Sequence, residues 1–413
     1  MQLLDQGDAI HEDHGMPSSL TPEWMEEMTS EVLALDPYPW YARMRREQPV
    51  AYVPWAAVHF ITRWEDCARV GGDPGSFRGA EHHRTVNRVF GAPNILTSID
   101  PVHRDLRNAV DPHLRPRQVN AYIEDLVRPL ARERLAALEG EGGAELMGTY
   151  FEPVSVAALG ELLGIEADPD LLRRWFHGLN VGISNRRGDA DAFASAAAIT
   201  AEIRAHVEPI LDRLEARPDD SLVSHMLHGS TADGKPRPRD LIYPTLNVIL
   251  LGGMQEPGHA AGSTLLGLLG RPEQLGRVRD DPSLIPTAVT EGLRWIAPIG
   301  SVEREALRSV DVGGVRLEPG DVVEVVMASA NRDERRYERP DEFDIDRPRQ
   351  QHMAFGNGEH FCSGHFFSRQ LERIALEELL PAFPRLRIDP DREPVVRGWN
   401  FRAPKQLHVR WDD

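Results

Sequence analysis

The chain has 413 residues, 41% hydrophobic and 27% charged, the balance of a soluble globular protein with a sizeable core. Its net charge of -18 argues against nucleic acid or an anionic membrane surface as partner. No apolar stretch approaches membrane-spanning length: the longest strong one, residues 248–254, runs straight into Gln255 and Glu256.

Residues 1–20 are acidic and lack the basic and then apolar run of a signal peptide, so they read as a flexible lead-in to a cytoplasmic protein in a reducing compartment. From residue 21 to 413 the sequence carries no linker, repeat or low-complexity tract, and reads as one domain. The segment around Cys67, "RWEDCARV", predicts a helix in which Cys67 is a small buried hydrophobe. In "NAYIEDLVRPLARERLAALEG", Ile123, Leu126, Leu130 and Leu135 fall on one helical face, with Gly140 as a stop signal. "AEIRAHVEPILDRLEARPDD" repeats that pattern. A long apolar segment follows from Leu241 to Leu269, and "DPSLIPTAVTEGLRWIAP" predicts a helix ending before Pro298. Strand signals then alternate around Gly313-Gly314 and the turn Pro319-Gly320, as in a hairpin, and "FRAPKQLHVRWDD" supplies another short strand. The expected class is mainly α with minor β sheets.

Only two cysteines occur, Cys67 and Cys362, too few for a disulfide framework or a structural zinc site. Cys362 sits in "AFGNGEHFCSG", between glycines and two residues after His360. A buried structural cysteine beside a Gly-rich turn is the plain alternative. A thiolate ligand to haem iron explains more. Such a ligand needs a loop that can approach a flat macrocycle, and Gly356, Gly358 and Gly364 permit that while leaving amide N–H groups free to face the sulfur. The next stretch, "HFFSRQLERIALEELL", predicts a helix whose N-terminus would stabilise the negative charge.

Phe355-Gly356-x-Gly358-x-His360-x-Cys362-x-Gly364 resembles the haem-binding signature of the cytochrome P-450 monooxygenases. Glu291-x-x-Arg294 and residues 331–348 resemble the family's ExxR pair and meander, in the family's order. The resemblance implies the single-domain fold of that family, a helical prism around haem b with a long distal helix and small sheets. It implies Cys362 as the iron ligand, and His103, Arg107, Arg304 and His360 as donors to the haem propionates.

Most of that family carries an acid and an alcohol in the distal helix, which help deliver protons during oxygen activation. Here the segment reads Gly252-Gly253-Met254-Gln255-Glu256-Pro257. Gln255 and Glu256 occupy the oxygen-activation positions, Glu256 is the candidate proton relay, and Pro257 predicts a local kink. Peroxide-driven turnover is also conceivable. "MQEPGH", with "EGLRWIAPIG" and "GWNFRAP", is similar to the guaiacol and syringol O-demethylase branch. That likeness implies small lignin-derived methoxyphenols as substrates, O2 as oxidant, and a separate reductase carrying FAD and a 2Fe-2S cluster and using NAD(P)H. It also implies a pocket of Phe77, Ile183, Val248, Gly252, Ile299 and Phe401, in which Ile183 stands where the branch has a phenylalanine. The extra room favours syringol, then guaiacol or 4-alkylguaiacols. Hydroxylation of another small apolar compound and a haem sensor without turnover are the competing readings.

Overall fold

Apolar side chains recurring every three or four positions fold most of the chain into helices, many burying one face and the central one, Glu256–Leu269, buried nearly all round. The computed structural model describes residues 22–80, 85–185, 188–229 and 235–412, and the expected lead-in, residues 1–20, lies outside them. In the helix Pro116–Ala136 the buried row is Val119, Ile123, Val127, Ala131 and Leu135, a strict i, i+4 series. Leu126 and Leu130 flank that row and are only half-buried, so the predicted face is offset by part of a turn. The helix packs on His365–Ala382, the helix that follows Cys362. Arg128 reaches Glu377 at 3.0 Å and Glu378 at 2.5 Å, and Arg373 reaches Glu377 at 2.6 Å.

The apolar segment from Leu241 becomes two helices, Tyr243–Met254 and Glu256–Leu269, parted at Gln255 with φ −108° and ψ −25°. Pro257 stands in the first turn of the second helix, where its missing N–H is tolerated but the upstream ladder is interrupted. The predicted kink is therefore a break. Ile285–Trp295 ends before Pro298, as its sequence predicts.

Five strands form the largest sheet, in the order Val50–Val53, Val58–Ile61, Val322–Val325, Val302–Ala306, Phe77–Gly79. Val310–Val312 pairs with Val315–Leu317 across Gly313 and Gly314, both at positive φ. The strand after Gly320 does not extend that hairpin. It joins the large sheet, parallel to Val58–Ile61 and antiparallel to Val302–Ala306. The C-terminal segment holds two strands rather than one, Ala403–Gln406 and His408–Arg410. Cys67 lies in the helix Trp64–Gly72, buried as expected, with Sγ 3.2 Å from the Ile61 carbonyl oxygen. Among the described residues no helix is long and apolar enough to cross a membrane.

Three side chains tie the helical and irregular parts together. Arg294 forks onto Glu291, with Nη2 at 2.7 Å from Oε1 and Nε at 2.8 Å from Oε2, and Arg347 adds Nε at 3.1 Å. The remaining Arg294 donors bind the carbonyls of Asn331, Pro340 and Glu342. All three side chains are buried. Removing one partner leaves the others charged in the interior, so Arg294→Ala should cost about 3–5 kcal/mol of stability. Urea unfolding of the haem-loaded protein measures it, and an unchanged midpoint would refute the bracing role.

Candidate active site

The loop carrying Cys362 is shaped by its glycines and by its seat on the Trp64–Gly72 helix. Gly356 and Gly358 have φ of +70° and +71°, which residues with a Cβ rarely adopt. A Cβ on Gly358 would overlap the Gly71 carbonyl oxygen, and Asn357 Nδ2 donates to the Ala68 carbonyl at 2.8 Å. The Cys362 N–H donates to the Phe355 carbonyl at 3.0 Å, closing the loop on itself. The amides of Gly364 and His365, at the start of the following helix, face the sulfur. The Cys362 side chain is open to an internal cavity but enclosed by protein elsewhere. Burial pushes its thiol pKa up, while the Gly364 amide, Arg107 and the His365 amide work against that rise.

The cavity measures about 350 Å³ and separates this loop from the broken helix. Arg107, Arg304 and His360 stand at its polar edge. Arg304 is buried, donates only to the Glu303 carbonyl among the described residues, and has its pKa drawn down to about 10 by burial. His103 lies against His360 with ring centres 4.4 Å apart and planes tilted by 50°, and the Nε2 atoms of both are buried without a hydrogen-bond partner among the described residues. Burial first, with neighbouring cations second, holds His103 below its ordinary pKa and His360 at about 3. Arg107 is engaged with Asp111 at 2.8 Å and with the Phe361 carbonyl at 2.7 Å. A buried guanidinium with no carboxylate against it among the described residues, and two unused imidazole nitrogens, are what the carboxylates of a flat cofactor would complete. At the opposite wall a Cβ built on Gly252 meets nothing within 4 Å, so this position leaves the space above the sulfur clear. These residues fit a haem, which Cys362 would hold through its thiolate.

Glu256 lines the cavity at the helix break and is 6% exposed. Neither of its carboxylate oxygens makes a hydrogen bond of normal geometry among the described residues. Burial raises its pKa to about 8, although the nearby Glu256 and Gln255 amides and Lys405 pull it down. It is thus an acid able to give and regain a proton near neutral pH. Gln255 is buried but is not among the cavity-lining residues, and its Nε2 has no hydrogen-bond partner among the described residues.

Five of the six expected pocket residues line the cavity: Ile183, Val248, Gly252, Ile299 and Phe401. Ile299 and Phe401 are joined by an isolated β-bridge, which fixes one wall. Phe77 is a correction. It pairs with Ala306 in the sheet and packs with Val50, Ile61 and Cys67 in the core behind it. Ala80, a few residues on, reaches the cavity instead, as do Phe90, Leu96 and Thr97. No motif marks these positions, because only the folded course of Ala80 and of residues 85–97 brings them to the site.

Residues 280–400 match the family described as cytochrome P-450. The chain is 30% identical to nocardicin C N-oxygenase of Nocardia uniformis subsp. tsuyamanensis, over 92% of this chain and 96% of that protein. It is also 30% identical to vitamin D(3) 25-hydroxylase of Pseudonocardia autotrophica, over 87% and 90%. Among solved structures it resembles the post-tailoring hydroxylase HmtN of himastatin biosynthesis, with TM-score 0.78, 29% identity and coverage of 92% and 98%. None of these three is named for O-demethylation, so they support the family without the demethylase branch.

Two outcomes follow from this geometry. Cys362→His should move the absorption band of the reduced carbon-monoxide complex from the thiolate position to the imidazole position; an unmoved band would exclude Cys362 as the ligand. Because Glu256 keeps its proton in the folded state up to about pH 8, whereas an ordinary glutamate loses it near pH 4.5, folding binds a proton between those values and stability falls as pH rises. Glu256→Gln should remove that slope, so thermal midpoints of variant over wild type should gain between pH 5 and pH 8. Parallel curves would mean that Glu256 titrates normally.

Proposed function

The chain belongs to the cytochrome P-450 family and is a haem monooxygenase, and from that premise we propose that it O-demethylates small methoxyphenols. A 2,6-dimethoxyphenol such as syringol is the first candidate, followed by guaiacol and 4-alkylguaiacols. The observation that carries this reading is the apolar wall formed by Ile183, Val248, Ile299 and Phe401 around the clear space at Gly252. Such a lining suits a small neutral aryl ether, and Ile183 leaves room beside the ring for a second ortho methoxy group.

Thiolate-bound haem supplies oxygen activation, with one atom of O2 inserted into a C–H bond and the other leaving as water. For an aryl methyl ether, O2, two electrons and two protons yield a hemiacetal and water. The hemiacetal then parts into a phenolic hydroxyl and formaldehyde. In this scheme the pocket holds the methoxy group toward the Gly252 side and excludes water, while the Glu256 carboxyl gives protons into the cavity. Gln255 orients water beside it. Enzymes of the family draw electrons from a redox partner, and a separate reductase with FAD and a 2Fe-2S cluster, fed by NAD(P)H, is the proposed source here. Hydroxylation of another small apolar compound, possible with peroxide as well as O2, is the second reading. The names of the hydroxylase and oxygenase relatives favour it.

Titration of methoxyphenols into the ferric protein, followed by a formaldehyde assay, separates the two readings. Tight binding without formaldehyde would overturn demethylation. Ile183→Phe should weaken syringol by about 1–3 kcal/mol through overpacking while sparing guaiacol. Equal losses for both ligands, read from the same titration, would show that position 183 does not set ring size.

A further inference from the structure

Behind Glu256, on the side away from the cavity, lies a group of charged side chains that oxygen activation has not so far used. His259 is one turn further along the helix Glu256–Leu269, fully buried among its neighbours, with Nε2 3.4 Å from Glu152 Oε1. Residues three apart share a helix face, so His259 and Glu256 lie on the same side of this helix. Glu152 begins the helix Glu152–Leu163 and also meets Arg173 at 3.2 Å. Arg173 and His177, on the helix Pro169–Ile183, reach the surface there, and Lys405 reaches it from the strand Ala403–Gln406. These are the titratable and charged groups that face Glu256 and His259 from the packed elements.

The residue between Pro257 and His259 explains the approach. A Cβ on Gly258 would lie 2.6 Å from the Phe151 carbonyl oxygen and 3.2 Å from the Glu152 amide nitrogen, closer than side chains pack. Gly258 therefore lets the helix press against the chain where the π-helical turn Met147–Phe151 hands over to Glu152. The run Gln255-Glu256-Pro257-Gly258-His259 then has a joint logic. Pro257 stands at the helix break beside Glu256, Gly258 admits Glu152, and His259, one turn on from Glu256, holds Glu152, whose charge is also felt at Glu256.

We infer that His259, held by Glu152, is a proton-relay residue that recharges Glu256 from solvent at the Arg173–Lys405 surface. This rests on the reading of Glu256 as the proton donor of the cavity. When Glu256 has given its proton away, the buried carboxylate is left one helical turn from the imidazole. One proton from solvent enters the Glu152–His259 pair, one passes through water to the Glu256 carboxylate, and the imidazole ends neutral, ready for the next round. Burial holds His259 below its ordinary pKa. Burial also raises Glu152, but His259, Arg173 and Lys405 outweigh it and keep the carboxyl below its usual range. The pair thus rests as imidazole and carboxylate, with capacity for one proton.

The test uses the haem-loaded protein and His259→Gln, which keeps a hydrogen bond to Glu152 but carries no proton. The infrared band of the protonated Glu256 carboxyl is assigned by its loss in Glu256→Gln, and its return is followed after a pH jump. Relay through His259 predicts that return slowed at least about tenfold in His259→Gln, the low end for losing a group that supports a reactive one. Product formed per NADH should fall alongside, with a larger solvent isotope effect. An unchanged rate of return overturns the relay, since the proton then enters by the cavity. Should His259→Gln fail to take up haem, Glu152→Gln, which removes the carboxylate that holds the imidazole, carries the same measurement and the same two outcomes. If Glu256→Gln itself leaves turnover and coupling intact, the proton role of Glu256 has failed first; if only Glu256→Gln impairs them, the relay alone has failed.

Discussion

A buried carboxylate holding two buried guanidinium groups is the interaction on which the rest of the structure leans. Glu291 accepts from Arg294, from Arg347 and from the Asp344 amide at 2.9 Å. Its ordered surroundings offset the desolvation of three charges, because the spare guanidinium protons are spent on backbone carbonyls of the 331–348 segment. That segment has almost no regular structure of its own, so these carbonyl contacts replace a helix or sheet ladder in fixing its course. Asn331, at its start, in turn accepts from the Met353 amide at 2.6 Å and sets where the Cys362 loop begins. The position of the sulfur is thus inherited, step by step, from an ion pair on another helix.

The sulfur loop was legible in the sequence because its requirements are local. Glycines at 356 and 358 answer to positive φ, and Gly358 also to the approach of Gly71. The donor set was legible only through resemblance. His103, Arg304 and His360 come from separate segments, and no spacing rule joins them. Once folded, their buried nitrogens and the Arg304 charge, without an anionic partner among the described residues, speak for an anion independently of any family.

Where sequence reasoning missed, the cause was placement in three dimensions. Phe77 has the right chemistry for a pocket, yet its register opposite Ala306 sends the ring into the core shared with Cys67. Leu126 and Leu130 obey helical spacing but stand beside the row that meets the His365–Ala382 helix. The turn at Pro319-Gly320 is correctly a turn, but the strand it releases finds more partners in the large sheet than in the hairpin. In each case the local pattern was sound and a longer-range contact decided among its uses.

The distal helix inverts that relation, since there the local pattern is poor and the longer-range contacts make it tolerable. Two glycines, a proline and an acid without a hydrogen-bond partner among the described residues are each unfavourable inside a helix. Beyond the break, Ala260, Ala261, Leu265 and Leu268 are fully buried, and Gly258 and Gly262 seat the helix on the Met147–Phe151 turn. Packing on three sides therefore holds the helix in place despite the break, and what the break leaves behind is space at Gly252 beside a carboxyl that titrates near neutrality. Local rules are broken together at one point here, and the packing immediately around it compensates.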